Sequence, residues 1–183
     1  MSLLNNYFTI GINRIFYIYG STILIWQDIN LWAQNKKDII KSKSIKICRD
    51  ISDPRKIYLN FKLAQDPFKF KRTPDKLHGR GNTGLLAAEM AVALGCSCLI
   101  LIGMDGKYDK EGKTDFYGNN LDHGPNTVLQ FKNSLKWLKN NCPVPIYNCS
   151  KNKFWPKIKL EKAIKEVDSP KCNRKYFINL FKK

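Results

Sequence analysis

The sequence predicts an α/β fold in which a mostly parallel sheet is covered by helices on both faces. Residues 98–102 (CLILI) and 22–26 (TILIW) are apolar without alternation, which is typical of strands buried on both faces. Residues 83–94 have helical character, and their alanines let the helix lie close to a sheet. Because such strands alternate with helices along the chain, we predict a Rossmann-like three-layer sandwich.

The remaining elements follow from the same patterns. Further strands are predicted at residues 7–12, 44–48, 57–61 and 144–147, and further helices at residues 31–40, 126–140 and 157–167. The segment 44–48 (SIKIC) alternates, so we expect it nearer an edge of the sheet. Residues 62–78 are basic and lack a clean period, which indicates an irregular excursion near the site.

Length and composition indicate a single domain over residues 1–183. The chain has 183 residues and is 43% hydrophobic, which together exclude a disordered polypeptide. No apolar run reaches bilayer-spanning length, and the polar start is unlike a signal peptide. The 6 cysteines form no CxxC pair, so we predict reduced thiols in a cytoplasmic protein rather than disulfides or a zinc site.

The formal net charge of +17 leaves two interpretations open. A lysine-rich solvated surface accounts for most of these residues. Alternatively, the charge attracts a polyanion: a nucleic acid, an acidic membrane face or a phosphorylated substrate. The charge is densest in residues 151–175, and we predict residues 151–183 to be a basic helical tail. This tail would be the contact for a polyanion, or for peripheral association with the inner membrane face.

Polar residues follow three predicted strands. Asn13 follows the first, Asp28 the second, and Asp105 the strand at residues 98–102. In open α/β sheets, ligands bind beyond the carboxyl ends of the strands. An Asp there can accept from ribose hydroxyls, bind a metal ion or cap the next helix, while an Asn amide can contact a base or a phosphate.

The turn into the alanine-rich helix is a second candidate. It contains Arg80, Asn82, Thr83 and Gly84. Backbone N–H groups and the helix dipole favour an anion at a helix amino terminus, and an arginine can clamp phosphate through two hydrogen bonds. The alternative is a plain helix cap by Asn82 or Thr83, with Arg80 in solvent.

The polar loop at residues 105–125 ends near His123, which suits general acid or base chemistry near neutral pH. The alternative is a loop or capping histidine, and we interpret His78, the other histidine, as an exposed loop residue. Tyr108 and Tyr117 flank this loop, where each could donate to a leaving phosphate or simply pack. No DxD pair, Walker sequence or serine nucleophile elbow occurs. Asp105 and Asp109 could hold a cation, but their spacing is not diagnostic, so we predict no metal site.

The order of these motifs resembles one superfamily. The sequence has GIN at residues 11–13, GRGNTG at 79–84, ALG at 93–95, GMD at 103–105 and DHGPNT at 122–127. Over residues 7–150, this order is similar to bacterial lipooligosaccharide sialyltransferases, motility-associated glycosyltransferases and 6-hydroxymethylpterin diphosphokinase-like proteins. That family normally opens with a strand and a glycine-rich phosphate loop, which do not precede Tyr7. We therefore expect the phosphate loop to be supplied elsewhere, or the domain to be a shortened version.

The resemblance implies a role for each candidate residue. His123 would be the general base that activates the acceptor hydroxyl, Tyr108 a donor to the departing phosphate, and Arg80 a site residue near donor or acceptor. Contacts to the nucleotide are implied for the remaining candidates, which are Asn13, Asp28, Asn82, Thr83, Gly84 and Asp105. No tightly bound cofactor is implied, because the CMP- or UDP-linked sugar is a substrate and a glycan is the acceptor.

The sequence leaves three candidate functions open. The first is an inverting, metal-independent, nucleotide-sugar-dependent glycosyltransferase of sialyltransferase type. The second is diphosphoryl transfer to a pterin-like alcohol from ATP and Mg²⁺. The third is an inactive relative, or a basic module that binds polyanions. The sequence leaves the donor sugar, the acceptor and the oligomeric state open.

Overall fold

A parallel sheet is the framework of the protein, and the predicted α/β sandwich is confirmed. The structure is a computed structural model that describes residues 2–53, 55, 57–66, 70, 73–106 and 127–167. The chain divides into two compact units, of which the first contains the chain up to Cys96 and the second spans Ser97–Val167.

The first unit holds a five-stranded sheet in which every described pair of neighbours is parallel. Its strands are β1 (Ile10–Ile12), β2 (Ile23–Trp26), β3 (Ile45–Arg49), β4 (Leu59–Leu63) and β5 (Lys76–Leu77). Their spatial order equals their order in the chain. The carboxyl ends of all five strands therefore lie along one edge of the sheet, the edge at which the sequence predicts the site.

Two helices cover the opposite faces of this sheet. Helix α1 (Ile29–Lys41) packs Leu31 and Ile39 against Leu24, Trp26 and Cys48 on one face. Helix α2 (Thr83–Ala93) packs Leu86 and Met90 on the other face. The side chains beneath α2 are Ile23, Ile25, Ile45, Ile47, Phe61 and Leu77. Both faces of the central strands are thus buried, as their continuous apolar runs predict.

Two strands differ from the sequence expectations. The strand predicted at residues 7–12 begins only at Ile10, and Thr22 Oγ1 accepts from Thr9 N at 3.2 Å. Strand β3 is central, not near an edge, because it pairs with both β2 and β4. Lys46 can occupy this central strand because its Nζ donates to the carbonyl oxygens of Ser42 at 2.6 Å and Ser44 at 3.1 Å.

Regular structure also enters the range predicted as an irregular excursion, residues 62–78. Strand β4 continues to Leu63, and β5 pairs with it through Leu63 and Leu77. Between them, residues 67–69, 71 and 72 lie outside the described residues.

The second unit has its own small parallel sheet. Strand β6 (Leu99–Leu101) pairs with β7 (Ile146–Asn148), and the helices are α3 (Thr127–Asn141) and α4 (Leu160–Lys165). Its buried apolar side chains are Leu99, Leu101, Met104, Leu135, Leu138 and Ala163. The predicted strands at residues 98–102 and 144–147 and both predicted helices are therefore present, with ends shifted by a few residues.

No helix within the described ranges has the length and apolar character needed to cross a membrane. The predicted basic tail is described only as far as Val167, and residues 168–183 lie outside the described part of the chain.

Candidate functional site

Asn13 follows β1 directly at the predicted edge of the sheet. Its backbone is left-handed, with φ of 49°, a conformation that asparagine tolerates better than most residues. Its Oδ1 atom is buried, and no hydrogen-bond partner for it lies among the described residues. A side-chain oxygen that is neither solvated nor bonded is uncommon in native proteins, so this amide is a strong candidate for a ligand contact.

The end of β2 is tied to the start of α2. Gln27 Nε2 donates to Thr83 Oγ1 at 3.1 Å, and Ser52 Oγ donates to the Gln27 carbonyl oxygen at 2.6 Å. Thr83 is buried by this arrangement, with 6% of its surface exposed. The first residue of α2 is therefore held by its hydroxyl at the carboxyl end of β2, although the two residues are 56 positions apart in sequence.

Asp28 stands at the start of α1 but does not cap the helix through its side chain. The residue is exposed and has an extended backbone, with φ of −89° and ψ of 126°. Capping, the commonest use of an isolated Asp at this place, is thus not its role here.

The turn that precedes α2 has an unusual backbone. Gly79, Arg80 and Gly81 all have positive φ, at 60°, 46° and 74°. Glycine adopts this region freely, but arginine does so at a cost of about 1–2 kcal/mol. Strained residues of this kind persist where the surrounding structure holds them, and they cluster at functional sites. Arg80 itself is exposed at the edge of the sheet.

Two residues that the sequence did not single out as functional hold this turn. His78 Nδ1 accepts from Arg80 N at 3.1 Å, so this histidine is a partner of the turn and not merely an exposed loop residue. Glu89 Oε2 accepts from His78 N at 2.7 Å and from Gly79 N at 3.2 Å. The sequence carries a signal for Glu89, because it is the single charged residue within the apolar helix α2.

Asn82 caps α2, which confirms the alternative interpretation of this residue: its Oδ1 accepts from Leu85 N at 3.0 Å. Within the described part of the chain, the N–H groups of Thr83 and Gly84 have no recorded acceptor. These two amides belong to the first helical turn, whose N–H groups have no partner inside the helix. The anion seat predicted from sequence is therefore confined to these amides, together with the exposed Arg80.

Asp105 belongs to the second unit, where it follows β6. Its Oδ1 accepts from Lys151 N at 2.7 Å. The neighbouring Met104 is held on both sides, because its N–H donates to Ser150 Oγ at 2.8 Å and its carbonyl accepts from Asn152 Nδ2 at 3.0 Å. Buried Asn148 completes the network by accepting from Asn152 Nδ2 at 2.9 Å. Met104 and Asp105 are thus held by hydrogen bonds to residues that follow β7.

His123 and Tyr108, the two residues predicted to carry the chemistry, lie outside the described residues, as does Tyr117. Their roles stay predictions. Within the described ranges, no group of three His, Cys, Asp or Glu side chains is arranged to hold a metal ion.

Four of the five described thiols are poorly suited to nucleophilic chemistry. Burial, and to a smaller extent the charge of Asp53, raise the pKa of Cys48, at the end of β3, to about 12. Burial also raises the pKa of Cys98, Cys142 and Cys149. Since the thiolate is the reactive form, these four cysteines are held in the inert thiol form near neutral pH.

A cavity of about 340 Å³ opens at the opposite, amino-terminal edge of the first sheet. It is lined by Tyr7, Thr9, Tyr19, Thr22 and Lys43, among others. None of the predicted site residues lines it. Several of its hydroxyls bond one another or the backbone, as in the contact of 3.5 Å between Thr9 Oγ1 and Thr22 Oγ1 and the bond of 3.1 Å from Tyr19 Oη to the Leu4 carbonyl oxygen.

No family model, curated protein or solved structure matches this chain. The residues at the carboxyl edge of the first sheet and the motifs of the sequence are therefore the features that point to a function.

Proposed function

We propose that this protein is a nucleotide-sugar-dependent glycosyltransferase of sialyltransferase type, inverting and independent of metal. One observation carries the proposal. An exposed arginine with a left-handed backbone, Arg80, stands two residues before Asn82, the cap of α2, at the carboxyl edge of a parallel sheet. A cation beside free helical N–H groups is the arrangement that binds phosphate in α/β proteins.

Five of the described candidates have a definite part in this scheme, and Asp28 and Asp105 have none. The N–H groups of Thr83 and Gly84 and the guanidinium of Arg80 bind the phosphate that joins nucleotide and sugar. The buried Oδ1 of Asn13 accepts a hydrogen bond from a donor on the nucleotide. The Oδ1 of Asn82 is occupied by the helix cap, so only its Nδ2 is left for a ligand contact.

The reaction is a single displacement. The acceptor hydroxyl oxygen attacks the anomeric carbon of the donor sugar while His123 takes the hydroxyl proton. The bond from that carbon to the phosphate oxygen breaks, and its electron pair leaves with the nucleotide. Tyr108 donates its O–H to the departing phosphate, which stabilises the charge that develops there. The displacement inverts the configuration at the anomeric carbon.

The proposal is tested first by ligand-induced stabilisation. The melting temperature would be measured with CMP, UDP, GDP and ATP, each with and without Mg²⁺. A nucleotide at about 100 times its Kd stabilises the folded state by about 2.7 kcal/mol. Stabilisation by CMP or UDP without Mg²⁺ supports the proposal. Stabilisation by ATP only in the presence of Mg²⁺ would instead favour diphosphoryl transfer.

Turnover is tested by nucleotide release from CMP- and UDP-sugars. His123→Ala should slow release by about 10²- to 10⁴-fold, the usual contribution of a general base. Tyr108→Phe should slow it by about tenfold or more, while Tyr117→Phe, in the same loop, is the matched control and should leave it unchanged. The proposal is wrong if neither donor is hydrolysed or transferred, or if His123→Ala has the rate of the wild type.

A further inference from the structure

Glu89 is a carboxyl group inside the protein with no direct access to a ligand. Its exposed fraction is 0%, and it lies on α2 between apolar neighbours that face the sheet. A buried acid of this kind is costly unless hydrogen bonds compensate it. Side chains on a helix lean toward its amino terminus, which directs Glu89 back toward the turn that precedes α2.

That turn needs an acceptor at this position. The N–H groups of His78 and Gly79 point toward α2, where both are bonded to Glu89 Oε2, at 2.7 and 3.2 Å. The approach is close, because a Cβ atom on Gly79 would lie 2.7 Å from Leu86 Cδ1. Gly79 is buried and His78 is half-buried, so an apolar residue at position 89 would leave their two N–H groups without this acceptor.

The same two bonds determine where Arg80 lies. Arg80 has a left-handed backbone, with φ of 46° and ψ of 41°. The preceding residue, Gly79, donates its N–H to Glu89 Oε2. Arg80 donates its own N–H to His78 Nδ1. If the amides of His78 and Gly79 were released, Arg80 would relax toward an ordinary negative φ. The guanidinium would then leave the amino terminus of α2.

We infer that Glu89 is a positioning residue for phosphate binding: it holds the Gly79–Gly81 turn in its left-handed form and thereby fixes Arg80 beside the amides of Thr83 and Gly84. The inference depends on the proposed function for the identity of the ligand, but the hold on the turn can be measured without any ligand.

A matched pair of variants isolates the acceptor. Glu89→Gln and Glu89→Met fill nearly the same space, but only glutamine retains a carbonyl oxygen that can accept from both amides. Met90→Ala is the packing control, because Met90 is also fully buried on α2 and does not bond to the turn.

Hydrogen exchange of the peptide that contains residues 76–82 measures how strongly the amides of the turn are protected. Exchange of the His78 and Gly79 amides should be about tenfold faster or more in Glu89→Met than in the wild type, and close to the wild type in Glu89→Gln. Met90→Ala should not accelerate these amides selectively. Equal protection in the methionine and glutamine variants would overturn the inference. Should the methionine variant not fold, rapid exchange in Glu89→Gln would overturn it as well.

The link to phosphate is measured by the ratio of the Kd of cytidine to that of CMP, or of uridine to UMP if UMP is the nucleotide that binds. Glu89→Met should lower this ratio by about tenfold, as should Arg80→Ala, with little change in the Kd of the nucleoside. Glu89→Gln and Met90→Ala should retain the wild-type ratio. A normal ratio in Glu89→Met with a released turn would overturn the positioning role. If the wild type binds no nucleotide, the proposed function fails, and hydrogen exchange still decides whether Glu89 holds the turn.

Discussion

Arg80 is the residue at which stability and function are expected to conflict. Its left-handed backbone is one of two positive-φ conformations of non-glycine residues within the described chain, the other being that of Asn13. Asparagine adopts left-handed backbone angles more often than other non-glycine residues, whereas a residue with a long side chain such as arginine is disfavoured there. A residue that served only to make the turn would be glycine, as on both sides of Arg80. We therefore expect the guanidinium, and not the backbone, to account for the arginine at this position.

Replacement of Arg80 by glycine tests this conflict. Arg80→Gly should leave the free energy of unfolding unchanged or raise it by up to about 1 kcal/mol, because relief of strain offsets the extra freedom of the unfolded chain. Its affinity for CMP should fall to that of Arg80→Ala. Denaturant unfolding and calorimetric titration measure the two effects.

Arg55→Gly is the matched control, because Arg55 is exposed and does not have positive φ. It should lower the free energy of unfolding by about 0.5–1 kcal/mol and leave CMP binding unchanged. A loss of stability in Arg80→Gly as large as in Arg55→Gly would show that the left-handed backbone at residue 80 carries no strain.

At the scale of elements, the amino terminus of α2 combines a helix cap with a candidate ligand site. Asn82 supplies the cap, Thr83 is held by Gln27, and Glu89 holds the preceding turn. Substitutions at this point therefore alter stability and binding together unless they are chosen to separate the two.

Asn82→Asp separates them. The carboxylate can accept from Leu85 N as the amide does, and a negative charge at a helix amino terminus is favourable, so thermal stability should equal or exceed that of the wild type. The same charge repels a bound phosphate, so the affinity for CMP should fall by about tenfold.

Asn82→Ala gives the opposite pattern and is the control. Loss of the cap should cost about 1 kcal/mol of stability, with a smaller effect on CMP binding than that of the aspartate. Wild-type affinity for CMP in Asn82→Asp would show that the phosphate does not lie near this helix terminus.

For the whole molecule, the net charge of +17 makes the salt dependence of binding informative. A module that binds polyanions through 6–10 phosphate contacts loses about 10³- to 10⁵-fold in affinity between 50 and 200 mM salt. A nucleotide held by Arg80 and two helical amides involves few charges, so its affinity should fall by less than about tenfold over that range.

Both ligands can be compared on one preparation. We expect CMP affinity to persist at 200 mM salt while binding of a single-stranded oligonucleotide disappears. The opposite result, with tight oligonucleotide binding and no CMP binding at either concentration, would favour the polyanion-binding alternative over the transferase.

The sequence alone determined the order and type of most elements of this protein, with β5 as the exception. Apolar runs at residues 22–26 and 98–102 and the small-residue helix at residues 83–94 depend on local periodicity, so β2, β6 and α2 were predictable. The places of Asn13 and Arg80 at strand and helix ends were predictable for the same reason.

Only the tertiary structure decided which residues hold the turn before α2 in the first unit and the residues after β6 in the second. Glu89 reaches residues 10 and 11 positions away, Gln27 bonds Thr83 across 56 positions, and Ser150 and Asn152 hold Met104 across 46 and 48. The central position of β3 likewise depends on the pairing of distant strands. Partners so far apart leave no periodic trace in the sequence, because hydrogen-bond satisfaction in a buried interior is settled by the packed fold and not by neighbours along the chain.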